Sequence, residues 1–149
     1  MFKNASGFTI VEVLISIAVI GVLVALAVPT YRQYSVRESR AEVQSVMVQI
    51  AQKLAAYKMA NNDYNTTLTN GAVYGSTNYP VTGTATYTLS LTSNTNSWTL
   101  TATAVGKQAG NGNLAINDQG WKCWNNPDNN TTNACVANAP TATTTWNKP

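Results

Sequence analysis

The sequence predicts an α+β fold: one long N-terminal helix, half membrane-spanning and half amphipathic, packed on a four-stranded antiparallel sheet. Three observations predict it. Residues 8–28 form an apolar run in which Glu12 is the only charge. Beyond Pro29 apolar side chains recur at helical spacing as far as Tyr57. From about residue 85 the period switches to two, with threonines alternating with apolar side chains. The chain has 149 residues, room for one ordinary domain besides the apolar segment.

The apolar run is long enough to cross a bilayer, which takes about 20 residues. A secretory signal peptide is the competing reading. Lys3 supplies its positive start and Ala25-Leu26-Ala27 a small-residue cleavage site, although a signal core is normally only about 7–15 residues long. Glu12 stands against it, because it falls where a signal core is purely apolar, and the helical pattern runs past Pro29 in register. A carboxylate deep in hydrocarbon costs roughly 2.5–3.5 kcal/mol on insertion scales. Such a burial calls for a partner. The nearest conceivable one is an α-amino group at Phe8, four residues away, which exists only if the chain is cut after Gly7.

The next element is amphipathic. Val43, Val46, Met47, Ile50, Leu54 and Tyr57 define one helical face, and Arg40, Glu42, Gln49, Gln52, Lys53 and Lys58 the opposite one. Joined to the apolar half, this gives a helix from about residue 8 to 59. Gly21 and Pro29 are expected to loosen or bend it, since proline removes a backbone donor and clashes with the preceding turn. The alternative is a true helix end at Pro29.

Asn61-Asn62-Asp63 ends the periodicity, and residues 61–83 read as a long ordered loop, with Tyr79-Pro80 opposing helix. Strands are predicted at 85–92 and 97–104, joined as a hairpin by Ser93-Asn94-Thr95-Asn96. A third is predicted at 113–117, and Asp118-Gln119-Gly120 turns it into a fourth at 121–124. The apolar side of this meander needs a cover, and the helix face at residues 43–57 is the available one.

Gly7 before Phe8, Glu12, Gly21 within the apolar run, Pro29 closing it, and Tyr31 and Tyr34 beyond resemble the type IV prepilin family. The predicted order of elements is also similar to that of pilins. The resemblance implies a leader at 1–7, a transmembrane and fibre-core helix at 8–29 and a globular domain at 30–149. It further implies that a prepilin peptidase cuts after Gly7 and methylates Phe8. Glu12 is then the assembly residue, pairing with the amine of Phe8. The precursor is expected in the inner membrane as a single-pass protein and the mature chain in an extracellular pilus fibre, with other pilin subunits as partners. Trp98-Thr99-Leu100-Thr101-Ala102-Thr103, followed by residues 114–120, is similar to a group of minor pilins. In that group a cysteine is expected just before the third strand, where this chain has Gly110-Asn111-Gly112.

Cys123 and Cys135 are the only cysteines and there is no histidine, so a four-ligand Cys/His zinc site cannot be assembled and no cofactor is expected. In an envelope protein facing an oxidising compartment the two are expected to form a disulfide closing a C-terminal loop. The alternative is a pair of free or catalytic thiols. Charged residues make up only 10% of the chain and its net charge of +3 is too mild to argue nucleic-acid binding alone. Trp121, Trp124 and Trp146 with Lys122 and Lys148 nonetheless form an aromatic-basic set. It reads either as sheet-edge packing or as a DNA contact carried by Lys122, Trp124 and Lys148. The sequons Asn65-Thr66-Thr67 and Asn130-Thr131-Thr132 match by composition and are assigned nothing. The reading is a structural minor pilin and not an enzyme; a major pilin, a secretion pseudopilin, a DNA-binding competence pilin and a membrane-anchored adhesin are the rivals.

Overall fold

A computed structural model describes residues 7–64, 73, 75–125, 135 and 139–146. The leader at 1–6, Lys148, both sequons and residues 126–134 between the cysteines lie outside the described residues. Helix α1 spans Ile10–Asn61, followed by strands β1 (Asn78–Tyr79), β2 (Tyr87–Ser93), β3 (Trp98–Ala104), β4 (Leu114–Asn117) and β5 (Lys122–Trp124). A single 3-10 turn, Gly106–Gln108, lies between β3 and β4. The chain divides into two compact units, Met1–Arg37 and Glu38–Pro149.

In the first unit α1 begins at Ile10 and continues unbroken through Pro29. Local melting at that proline is therefore not seen, and neither is a helix end. The proline's missing donor is tolerated in a helix whose other turns keep theirs, and Thr30 Oγ1 donates to the Leu26 carbonyl at 3.2 Å. Every side chain from Phe8 to Val28 is exposed, including Ile10 at 81% and Leu26 at 68%. The helix is long and apolar enough to cross a membrane.

In the second unit the sheet has five strands in the order β1-β2-β3-β4-β5, every pair antiparallel. This corrects the expected four. The added strand lies inside the stretch read as a loop, and it has only two residues, Asn78 opposite Thr88 and Tyr79 opposite Tyr87. Two residues carry no alternation, and Pro80 follows at once. The other four strands fall within two residues of their expected limits.

One sheet face is apolar and α1 covers it. Val43, Met47, Ile50 and Leu54 pack with Tyr87, Leu89, Trp98, Leu100, Ala102, Leu114, Ile116 and Trp124 in one core, while Val46 and Leu91 are half-buried against it. Full burial of each Val, Leu, Ile or Met side chain among them contributes about 1.5–3 kcal/mol, so this face holds the unit together. The opposite face is hydroxylic, with Thr88 opposite Thr103, Ser90 opposite Thr101 and Thr92 opposite Thr99.

Arg40 and Lys58 depart from the solvated face assigned to them. The Arg40 guanidinium lies 3.7 Å over the Trp124 ring, and Lys58 donates to the Thr95 carbonyl at 3.2 Å with its ammonium 5.1 Å from the Tyr64 ring. The reason for Arg40 is positional. It precedes Val43, Met47, Ile50 and Leu54 by the same steps of three and four, so it sits at the head of the buried stripe. Burial pushes the neighbouring Tyr87 phenol above its ordinary value, with Arg40 pulling the other way.

Cys123 and Cys135 are joined by a disulfide, Cα–Cα 5.2 Å, and pack with Ala115 as a small second cluster. Gly112 has φ +83°, and a Cβ there would collide with the Asn125 backbone carbonyl. No side chain fits at position 112 unless that backbone shifts.

Candidate functional site

The first turn of α1 is closed by its own sequence. Thr9 stands just before the helix, and its Oγ1 accepts from the Glu12 backbone N–H at 3.2 Å. In return Glu12 Oε2 accepts from the Thr9 backbone N–H at 3.2 Å and from the Thr9 hydroxyl at 3.1 Å. This reciprocal arrangement is a capping box, which satisfies two orphan donors at a helix N-terminus. It also places the carboxylate beside the positive end of the helix dipole. Among the described residues both donors on the carboxylate are neutral. Glu12 is thus held in one place, at the head of the apolar run.

Thr9 is the functional residue that the sequence reading missed. Its signal was present as Thr9-Ile10-Val11-Glu12, the T-x-x-E spacing of a capping box ahead of an apolar run. Gly7 and Phe8 lie just outside the helix and are exposed. A methyl group built on Gly7 would meet nothing within 4 Å, so packing does not explain glycine there.

The aromatic-basic set is not gathered into one open surface. Trp124 is 8% exposed, its Nε1 donates to the Asn111 carbonyl at 2.9 Å, and Arg40 covers its ring. Trp146 is likewise 8% exposed, donates to the Ala115 carbonyl at 3.0 Å, and carries the Lys122 ammonium 5.0 Å from its ring. Their faces are engaged in packing. Trp121 alone of the three is exposed. Among the described residues no group of three or more His, Cys, Asp or Glu side chains is placed to hold a metal.

Comparison with known proteins follows the same division of the chain. Residues 2–28 match the prokaryotic N-terminal methylation motif. Over 70 residues the chain is 36% identical to a probable minor fimbrial protein of Dichelobacter nodosus, covering 47% of this chain and 42% of that protein. It is 38% identical over 64 residues to the type IV major fimbrial protein FimA of the same organism, covering 40% of each. A type II secretion system core protein G of Aeromonas hydrophila is 34% identical over 65 residues, covering 44% of this chain and 46% of its own. The chain thus spans less than half the length of each of these relatives. A solved type IV pilin from Shewanella oneidensis is similar over 56% of this chain and 84% of its own, at 20% identity and a TM-score of 0.44. Residues 29–123, more than half of the chain, match the family described as the type IV minor pilin ComP, DNA uptake sequence receptor, and the chain belongs to that family of type IV minor pilins.

Proposed function

We propose that this minor pilin is a structural subunit, rather than an enzyme, that is cut after Gly7, methylated at Phe8 and drawn from the inner membrane into an extracellular pilus fibre. The observation that carries the proposal is the state of Glu12, the one carboxylate in the exposed apolar run of residues 8–28, whose side-chain donors among the described residues are neutral. Cleavage creates a cationic amine at Phe8, and the carboxylate of one subunit pairs with the amine of its neighbour as both leave lipid. Opposite charges brought together in an apolar surrounding attract strongly, while either one alone is costly there. The bare side chains of residues 8–28 then become the fibre core. Gly7 supports the same reading, because its lack of a side chain serves no contact within the chain and suits a peptidase that grips the backbone closely.

The test separates insertion from assembly. Glu12→Ala should insert in the membrane at least as well as wild type, since it removes a charge from the span. Its share in the sheared-fibre fraction should fall at least about tenfold, the equivalent of about 1.4 kcal/mol. Equal recovery of mutant and wild type in that fraction would remove Glu12 from assembly.

A second role, as a receptor for DNA in uptake, is favoured by the description of the family matched at residues 29–123. Residues 30–149 carry eight Lys and Arg against five Asp and Glu, and Lys53 and Lys107 are exposed. The buried Trp124 and the Trp146-bound Lys122 are poorly placed for stacking and phosphate contact, so such binding would rest on the exposed lysines. Duplex DNA binding that weakens steeply with salt, and weakens again in Lys53→Ala and Lys107→Ala, is the expected result.

A further inference from the structure

Trp121 is the one tryptophan the fold leaves exposed, at 37%, while Trp98, Trp124 and Trp146 lie at 4%, 8% and 8%. It is rigidly held. The β4–β5 turn is closed by hydrogen bonds from Asn117 N–H to the Trp121 carbonyl at 3.1 Å and from Gly120 N–H to the Asn117 carbonyl at 2.9 Å. The Asn117 side-chain oxygen also accepts from the Gln119 and Trp121 N–H groups at 3.2 and 3.0 Å. Gly120 at φ +75° permits the tight turn.

The sheet register places Trp121 in company. Thr92 lies opposite Thr99 and Thr99 opposite Asn117, and the Asn117–Trp121 hydrogen bonds extend the row. Alternation along each strand puts all four side chains on the face turned away from α1, the face that also carries Cys123. Neighbouring positions in the row are about 4.8 Å apart. The result is a flat line of two hydroxyls, one amide and one indole.

Among the described residues charge is sparse on this face. Residues 64–106 contain no Asp, Glu, Lys or Arg. Lys122 is opposite Ile116, so it leaves the strand on the other face, where its ammonium meets Trp146. Lys107 follows the far end of β3. Among the described residues Asp118 lies in the β4–β5 turn itself, where it would repel phosphates, and the Lys58 ammonium near the β2–β3 turn is engaged by the Thr95 carbonyl at 3.2 Å and lies 5.1 Å from the Tyr64 ring. A nucleic acid needs cations at its backbone; a neutral polar polymer does not.

We infer that the row Thr92–Thr99–Asn117–Trp121 is a binding surface for an uncharged polysaccharide. The indole covers the C–H face of a sugar ring, which is apolar and flat, and the ring keeps a polar edge for the sugar hydroxyls. Thr92 and Thr99 donate and accept hydrogen bonds along the chain, and Asn117, whose carbonyl is engaged by the turn, offers its NH2 group. Because sheet and turn fix all four groups beforehand, little ordering cost is incurred on binding. This surface is separate from the lysines on which DNA binding would rest, so the two readings stand or fall apart.

The test uses the full-length chain in a zwitterionic detergent, with chitin and cellulose beads and their soluble hexasaccharides as probes and duplex DNA as a parallel arm. Wild type should be retained on at least one polymer, with a change in tryptophan fluorescence on adding the matching hexasaccharide. Trp121→Ala should weaken that binding about tenfold, and Trp121→Phe, which keeps an aromatic face, should recover most of it. Thr92→Glu, at an exposed strand position, should also weaken it and serves as the second variant if Trp121→Ala misfolds. DNA binding should be the same in all of them. Binding of neither polymer, binding unaffected by both Trp121→Ala and Thr92→Glu, or a loss confined to the DNA arm would overturn the inference.

Discussion

On the proposal above, Thr9 and Glu12 are one pair of residues that serves two states. In the free subunit the carboxylate is held by the threonine's N–H and hydroxyl, and in the fibre, on the proposal above, it is claimed by a neighbour's amine. Thr9→Val removes the hydroxyl and keeps the volume. It is expected to lower hydrogen-exchange protection of the Glu12 and Val13 amides in the free subunit while leaving more fibre incorporation than Glu12→Ala, and Thr9→Ser should restore the protection. Unchanged protection would mean that the capping box does not hold in solution. Glu12 was legible in the sequence because a lone charge in an apolar run is conspicuous. Thr9 was not, since threonine at the edge of such a run attracts no attention until its spacing to Glu12 is counted. Arg40 escaped for a related reason: a charged side chain is assigned to solvent by type, whereas its place in the three-four series put it under Trp124.

At the level of elements, the helix and the four longer strands were legible because each repeats a period, 3.6 or 2, over enough residues to be counted. Strand β1 was not, because its two residues are held by pairing with β2, a tertiary event that leaves no local pattern. Pro29 misled in part. It was expected to loosen or bend the helix, and the helix runs on through it without melting or ending. The sheet carries a pH prediction through its tyrosines. Burial, the larger cause, raises the Tyr87 phenol above 10.0, with Arg40 opposing, and burial followed by the charge of Glu42 raises Tyr79. The unfolded chain ionises these groups at the ordinary value, so the folded state holds its full stability below pH 10 and loses it as pH rises past that point. Urea midpoints measured between about pH 9 and about pH 11 should fall, and should fall less in Tyr87→Phe. A pH-independent midpoint in the wild type would contradict the burial of these rings.

At the scale of the molecule, the chain joins an exposed apolar helix to a compact unit closed by a disulfide. The disulfide joins residues 12 positions apart in the sequence and ties β5 to Cys135, which packs with Ala115. Reduction is expected to lower stability of this unit by about 3 kcal/mol in the chain-entropy model, read as a lower urea midpoint, and to speed proteolysis between the cysteines. Protein from the cell envelope that labels at Cys123 or Cys135 without reduction would contradict the bond. The pairing was legible from there being only two cysteines, and their burial against Ala115 was not, because it depends on which strand lies beside β5. The central claim concerns the other end of the chain: that this minor pilin enters a fibre as a processed subunit. Intact-mass and N-terminal analysis of the chain recovered from sheared fibres tests it most directly. The account predicts a mature chain that begins at Phe8 with a methylated amine. A chain that keeps residues 1–7, begins after Ala27, or is missing from the sheared fraction while present in the membrane would contradict it.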